Sequence, residues 1–98
     1  MRIEIRKSKK KDKKLQAIIS NGKAITRDFG QRGAPDFTKT RDEAQKARYL
    51  KRHKTRENWN DPTTPGALSR HLLWNKPTLQ ASARDMSRRF GVPIKIIK

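Results

Sequence analysis

The stretch Asp36–Trp59, DFTKTRDEAQKARYLKRHKTRENW, contains the element around which we expect the fold to be organised. Thr40 belongs to the residue types that cap helix N-termini, and Glu43, three positions later, completes a capping box. Pro62 stops the helix, because proline disfavours helical backbone in the residue that precedes it. These signals predict one central basic helix over residues 40–58.

One face of this predicted helix carries a row of basic side chains. The row follows the spacing i, i+4, i+7 and i+11 through Arg41, Gln45, Arg48 and Arg52, and Arg56 lies beside it. It contains no acidic residue, whereas an ordinary solvated face mixes charges of both signs. Arginine suits phosphate because its planar guanidinium matches phosphate geometry. The candidate phosphate-binding residues of this face, called the arginine row below, are Arg41, Arg48, Arg52 and Arg56. A solvated face without a ligand stays open as the alternative.

The apolar positions of the same helix are few. Ala47 and Leu50 lie close together on the helix surface, and Tyr49 flanks them. We expect this thin stripe to dock the helix on the rest of the domain.

Positive charge dominates the composition. The 98 residues include 26 lysines and arginines but nine acidic residues, which gives a net charge of +17, and only 32% of the residues are hydrophobic. A chain of this length forms one domain with a modest core. Self-repulsion opposes the compact state unless a polyanion neutralises the charge. Nucleic acid is therefore the leading candidate partner, and an anionic membrane surface is the second.

Several classes of protein are disfavoured by what the sequence lacks. The chain has no cysteine, so disulfides and thiolate–metal sites are excluded. No apolar run approaches the length of a membrane span, and the first residues lack the apolar core of a signal peptide. We therefore expect a protein that is neither secreted nor embedded in a membrane.

The segment Lys7–Lys14, KSKKKDKK, contains no apolar residue. It follows Arg2–Arg6, RIEIR, whose alternation predicts a short strand with its isoleucines facing inward. Residues 1–14 are thus expected to form a first strand and a flexible lysine-rich loop or hairpin tip, interpreted as an arm that follows a phosphate backbone. Its candidate phosphate-binding residues are Lys7, Lys9, Lys10, Lys11, Lys13 and Lys14. A solubilising loop and a nuclear-localisation patch have the same composition and stay open.

Residues 15–33 predict a β-hairpin. Asn21-Gly22 lies between two apolar runs, and this dipeptide favours the type I′ turn because both central residues need positive φ. A two-residue loop places Ile19 opposite Ala24. This register puts Ile19 and Phe29 on opposite faces of the hairpin.

Residues 65–90 predict two further helices. Pro65 suits the first position of a helix. The second helix has the clearest period in the chain, since Leu79, Ala83, Met86 and Phe90 follow the spacing of one helix face. Away from that stripe lie three more candidate phosphate-binding residues, Arg84, Arg88 and Arg89.

The elements together predict one α+β domain over residues 1–98. A small antiparallel sheet from the N-terminal half, a hairpin or meander, is expected to pack against about three helices. Residues 92–97 alternate and could add an edge strand.

Catalytic chemistry has little support in the sequence. His53 lies near acidic residues, but no spacing typical of Mg²⁺ or Zn²⁺ ligands is present. We favour a structural hydrogen bond from His53 to Glu57, one turn on. Trp59 and Trp74 could stack on bases, although burial in the core is the commoner role of tryptophan. We expect no catalytic residues, no cofactor and no bound metal.

Three motifs resemble a family of small basic proteins encoded by giant viruses and other nucleocytoplasmic large DNA viruses. They are FGQRGAPDFT from Phe29, RYLKRHKTRENW from Arg48 and LLWNKPT from Leu72, and the resemblance covers about Asn21 to Phe90. Ala67 stands where that family often has an aromatic residue. The resemblance implies a viral protein of the virion or the infected cell, in cytoplasm or nucleus, and it implies no particular activity.

The preferred interpretation is a non-enzymatic nucleic-acid-binding protein for genome packaging or a nucleoid. Its partner is expected to be DNA, with RNA left open, and its binding largely indifferent to sequence, because no residue stands out as a base reader. The alternative is a minor capsid or other virion structural protein whose basic surface meets acidic coat proteins.

Overall fold

The computed structural model describes residues 1–97. Its elements are β1 (Arg2–Lys7), β2 (Lys13–Asn21), β3 (Lys23–Gln31), α1 (Phe37–Thr40), α2 (Glu43–His53), α3 (Pro65–Leu72), α4 (Leu79–Phe90) and β4 (Ile94–Ile96). The strands form one mixed sheet of order β3-β2-β1-β4. This arrangement confirms the predicted α+β class.

Alternation along the strands builds the sheet side of the core. β1 pairs antiparallel with β2, while the short edge strand β4 runs parallel to β1, so the sheet is not purely antiparallel. Ile3 and Ile5 are fully buried on the face that meets the helices. From the helices, Leu68, Leu72 and Met86 complete the core at 0% exposure.

The hairpin register differs from the predicted one by one residue. The chain reverses around Gly22, with Asn21 paired to Lys23, so that Ile19 lies opposite Ile25 rather than Ala24. A shift by one residue moves a side chain to the other face of the strand. Phe29 therefore lies on the same face as Ile19 and is buried with 1% exposure.

The central helix is shorter than the predicted range 40–58. Arg41 adopts left-handed backbone with φ 53°, which separates α1 from α2. Asp42 caps α2 by accepting a hydrogen bond from the Gln45 backbone N–H at 3.1 Å, so Thr40 does not form the expected capping box. The helix ends at His53.

The two C-terminal helices begin at threonine caps and pack on each other and on the sheet. Thr64 and Thr78 each accept a hydrogen bond from a backbone N–H of the first turn. The stripe of α4 faces inward at Ala83 and Met86, as its spacing predicted. No helix within residues 1–97 has the length and apolar character needed to cross a membrane.

Candidate nucleic-acid interface

Helix α2 is seated on the domain by a stack of three rings. Tyr49 is the buried residue of this helix, and its ring lies on Trp74 with centroids 4.3 Å apart and planes at 8°. One turn later, the His53 ring stacks on Tyr49 at 4.2 Å. Ala47, expected on the docking stripe, is exposed. The buried face of α2 is centred on Tyr49 rather than on Ala47. Stacking of the Tyr49 ring on Trp74 stabilises the docked helix more than burial of an alanine methyl group would.

Lys46 supplies a second anchor for α2. Its ammonium donates a hydrogen bond to the Asn75 carbonyl at 2.6 Å and lies 4.8 Å from the centroid of the Phe37 ring. Burial lowers the pKa of Lys46, and the nearby Arg70 lowers it further. This lysine therefore holds the helix in place rather than facing solvent.

The structure splits the predicted arginine row. Arg48 and Arg52 lie on α2 and line the same cleft. Arg41 lies in the left-handed link before the helix, and Arg56 lies in the turn after it. All four side chains are exposed, but only Arg48 and Arg52 are held on one helix face.

The cleft beside α2 has a volume of about 500 Å³. Its walls come from α2, the end of β3 and the start of α3. The basic residues that line it are Lys13, Lys14, Arg48 and Arg52, and the acidic ones are Asp28, Asp36 and Glu57.

Each acidic residue of the cleft forms a hydrogen bond or an ion pair with another residue of the protein. Asp28 accepts a hydrogen bond from Ser8 Oγ at 2.5 Å, which is the main cause of its lowered pKa. Asp36 is paired with Lys14, and Glu57 accepts a hydrogen bond from Trp59 Nε1 at 3.0 Å. By contrast, the guanidinium groups of Arg48 and Arg52 have no hydrogen-bond or ion-pair partner among residues 1–97. Since Lys14 offsets Asp36, the lining retains three basic groups, Lys13, Arg48 and Arg52, against the carboxylates of Asp28 and Glu57, so its net charge is positive.

The lysine-rich segment forms the hairpin turn between β1 and β2, one of the two forms expected for it. The guanidinium of Arg32 donates hydrogen bonds to the carbonyls of Ser8 at 3.1 Å and Lys13 at 2.9 Å. A third bond reaches the Lys10 carbonyl at 3.2 Å. This clamp comes from the residue that follows β3, so the sequence of the turn itself does not indicate it. Four lysine side chains remain exposed on the turn and its flank: Lys7, Lys9, Lys10 and Lys11.

Lys14 is not available to a phosphate, contrary to the prediction. Its side chain is 11% exposed and forms an ion pair with Asp36, whose side chain is 2% exposed. The Lys14 ammonium also donates a hydrogen bond to the Ala34 carbonyl. The strand begins at Lys13 rather than at Leu15, which turns Lys14 toward the loop before α1.

The three arginines of α4 do not form one group. Arg84 and Arg88 line a second groove of about 490 Å³. Arg89 is not part of this lining, and both Arg88 and Arg89 lie near the Asp85 carboxylate, at 3.9 Å and 3.6 Å. Lys76 joins the groove from the loop before α4, and the sequence did not indicate it because it lies outside the helix period.

Neither tryptophan is freely exposed. Trp74 is 9% exposed, in agreement with a core role, and Trp59 is partly buried below Arg70. His53 Nδ1 lies 3.5 Å from the Glu57 carboxylate, the neighbour expected from their spacing. The position of His53 at the end of a ring stack was not predicted, because Trp74 is distant in sequence. Within the described range 1–97, no cluster of three His, Asp or Glu residues is placed to hold a metal ion.

Comparison with known proteins gives one match. A model of a family of unknown function (DUF5754) matches residues 3–53, just over half of the chain. The matched segment runs from β1 to the last residue of α2 and so includes the hairpin turn, Arg48, Arg52 and His53. No curated protein and no solved structure matches the chain.

Proposed function

The chain belongs to the DUF5754 family, whose description assigns no function, and we propose that it is a non-enzymatic protein that binds DNA largely irrespective of sequence. Genome packaging or a nucleoid in a large DNA virus is the setting we propose. The virus-like motifs from Phe29 to Thr78 support that setting.

The observation that carries the proposal is the pair Arg48 and Arg52. Both are exposed on one face of α2 and line one cleft, and neither has an internal partner within residues 1–97. The acidic side chains around them are already engaged. Two fixed, unpaired guanidinium groups favour phosphate, whose oxygens accept paired hydrogen bonds from arginine.

The lysine turn extends this basic surface. Lys13 lines the cleft together with Arg48 and Arg52, and the exposed lysines of the turn precede it in the chain, with Asp12 between. Because Arg32 holds the turn by its backbone, these ammonium groups are presented without the entropy loss of ordering a loose arm. The cleft and the turn therefore form one basic surface on the side of the sheet where β1 ends.

Sequence-independent binding follows from the kind of side chains on this surface. Lysine and arginine neutralise phosphates, and such contacts position a protein on nucleic acid without reading its bases. The large excess of basic over acidic residues, 26 against nine, adds long-range attraction to any polyanion.

Fluorescence anisotropy with labelled duplex DNA tests the proposal. We expect tight binding at low salt, similar affinity for unrelated sequences and release as the salt concentration rises. Polyglutamate of matched charge serves as the competitor, because it represents an acidic coat protein. Preferential binding of polyglutamate over DNA would contradict the proposal and favour the structural virion protein.

A further inference from the structure

We infer that the cleft beside α2 binds an unpaired nucleobase of single-stranded nucleic acid, with His53 as the stacking surface and Arg48 and Arg52 holding the neighbouring phosphates. This inference rests on the proposed nucleic-acid binding and adds a preference for strands with accessible bases.

The three-ring stack has one buried end and one open end. Trp74 and Tyr49 are 9% and 8% exposed, whereas the side chain of His53 is 31% exposed and lines the cleft. Tyr49 stacks on both of the other rings, so His53 is the terminal ring on the solvent side. Burial raises the pKa of Tyr49, which keeps its phenol neutral in the middle of the stack. A flat ligand in the cleft would extend the stack by one ring.

Glu57 holds the His53 ring by its edge. The Glu57 carboxylate lies 3.5 Å from His53 Nδ1 and also accepts the Trp59 indole N–H at 3.0 Å. Gly66 leaves room for this carboxylate, since a Cβ atom at that position would lie 2.7 Å from Glu57 Oε2. An edge contact fixes the orientation of the ring and leaves its outer face available for stacking.

Two arginines stand next to the stacked rings in the sequence. Arg48 precedes Tyr49, Arg52 precedes His53, and both line the cleft. Residues one helical turn apart have Cβ atoms separated by about 5–6 Å. The pair therefore offers two guanidinium groups along the path of a strand whose base lies on His53.

The dimensions and surroundings of the cleft select an unpaired base. Its volume of about 500 Å³ falls within the usual range of small-ligand sites. A base within a duplex is stacked on both faces and cannot lie on His53 without being extruded, whereas a base in a single strand is free to do so.

Three probes of equal length distinguish the contribution of the base to the affinity from that of the phosphates. They are a duplex, a single strand, and a single strand of the same charge whose residues are abasic. Base stacking on an aromatic residue contributes about 1–3 kcal/mol, so we expect the wild type to prefer the base-bearing strand over the abasic strand by roughly five- to 150-fold. His53→Ala should abolish this preference and leave the affinity for the abasic strand unchanged.

Two further variants make the assignment specific. His53→Phe retains a stacking ring without imidazole chemistry and should restore the preference. Lys51→Ala removes a positive charge from the exposed surface of α2 outside the cleft lining, and should weaken binding to all three probes by a similar factor.

The outcomes distinguish the two proposals. If wild type binds the abasic and base-bearing strands equally, or if His53→Ala retains the preference, the stacking site is wrong and DNA binding through phosphates stands. If none of the three probes binds at low salt, both proposals are wrong.

Discussion

The ammonium of Lys14 and the carboxylate of Asp36 form a buried ion pair that joins β2 to the N-terminus of α1. The same carboxylate caps α1 by accepting a hydrogen bond from the Thr38 backbone N–H at 2.9 Å. One of the six lysines of Lys7–Lys14 thus acts as a structural residue, while Lys7, Lys9, Lys10 and Lys11 remain exposed.

Removing Lys14 should destabilise the fold strongly. Lys14→Met leaves the Asp36 carboxylate buried without its cation, and breaking a buried pair in this way costs about 3–5 kcal/mol. Lys11→Met, in the same run but exposed, should change the free energy of unfolding by less than about 0.5 kcal/mol. Urea denaturation of both variants measures the difference. Equal, small effects would show that the pair does not hold α1 on β2.

Local sequence patterns predicted those parts of the structure that depend on neighbours along the chain. The period of α4 gave the buried Ala83 and Met86, and the alternation of β1 gave its buried isoleucines. The start of α2 was misplaced because two capping residue types, Thr40 and Asp42, stand close together and the pattern does not rank them.

Contacts between distant residues could not be predicted in the same way. The stack of Tyr49 on Trp74 joins α2 to the end of α3, and the Arg32 clamp joins β3 to the lysine turn. Neither contact leaves a spacing signal in the sequence. The arginines of the candidate site were identified by their charge and helical spacing. The stacking role of His53 follows only from its position at the end of the three-ring stack.

Two glycines with similar backbone should respond differently to alanine. Gly22 and Gly30 both have positive φ, 81° and 77°, so alanine costs about 1–2 kcal/mol at either position through backbone strain. At Gly30 the new Cβ would also lie 2.6 Å from Leu73 Cδ1, whereas nothing lies within 4 Å at Gly22. Gly30→Ala should therefore lower the free energy of unfolding more than Gly22→Ala. Equal losses would mean that Leu73 moves aside without cost.

Stability should fall in mildly acidic solution because of His71. Burial lowers the pKa of His71, and the nearby Arg70 and Arg89 lower it further, while Asp85 and the hydrogen bond to the Trp59 carbonyl raise it. His71 Nε2 lies 2.9 Å from that carbonyl and so carries the proton of the neutral ring, while Nδ1 is buried without a partner within residues 1–97. The unfolded chain therefore binds a proton near its ordinary pKa, about 6.5, before the folded chain does.

The sign of this effect follows from proton binding. Between the lowered pKa of the folded state and about pH 6.5, the unfolded state holds more protons, so stability decreases as pH falls, by at most about 1.4 kcal/mol per pH unit. His71→Gln cannot take up the proton and should flatten the dependence. Denaturant titrations between about pH 7 and about pH 5.5 measure it. An equal slope in both proteins would assign the effect to another group.

The lysine turn should contribute to DNA binding as a fixed surface. Lys9→Gln with Lys11→Gln removes two exposed charges without touching the Arg32 clamp, which binds backbone carbonyls. The slope of log K against log salt should become less negative by about 2, at roughly 0.9 per phosphate contact. Anisotropy titrations over a salt series measure the slope. An unchanged slope would show that the turn serves solubility alone.

The most direct test of the account is the salt dependence of duplex binding by the Arg48→Ala, Arg52→Ala double variant. If about 6–8 phosphates are neutralised, the wild-type slope of log K against log salt is about −5 to −7. The double variant should lower its magnitude by about 2, because two fixed contacts are lost. The matched control, Arg2→Ala with Lys23→Ala, removes two exposed charges near the hairpin tip, away from the cleft. Its slope should stay close to that of the wild type. Equal slopes for the wild type and the Arg48→Ala, Arg52→Ala variant would contradict the account and leave α2 as a solvated helix.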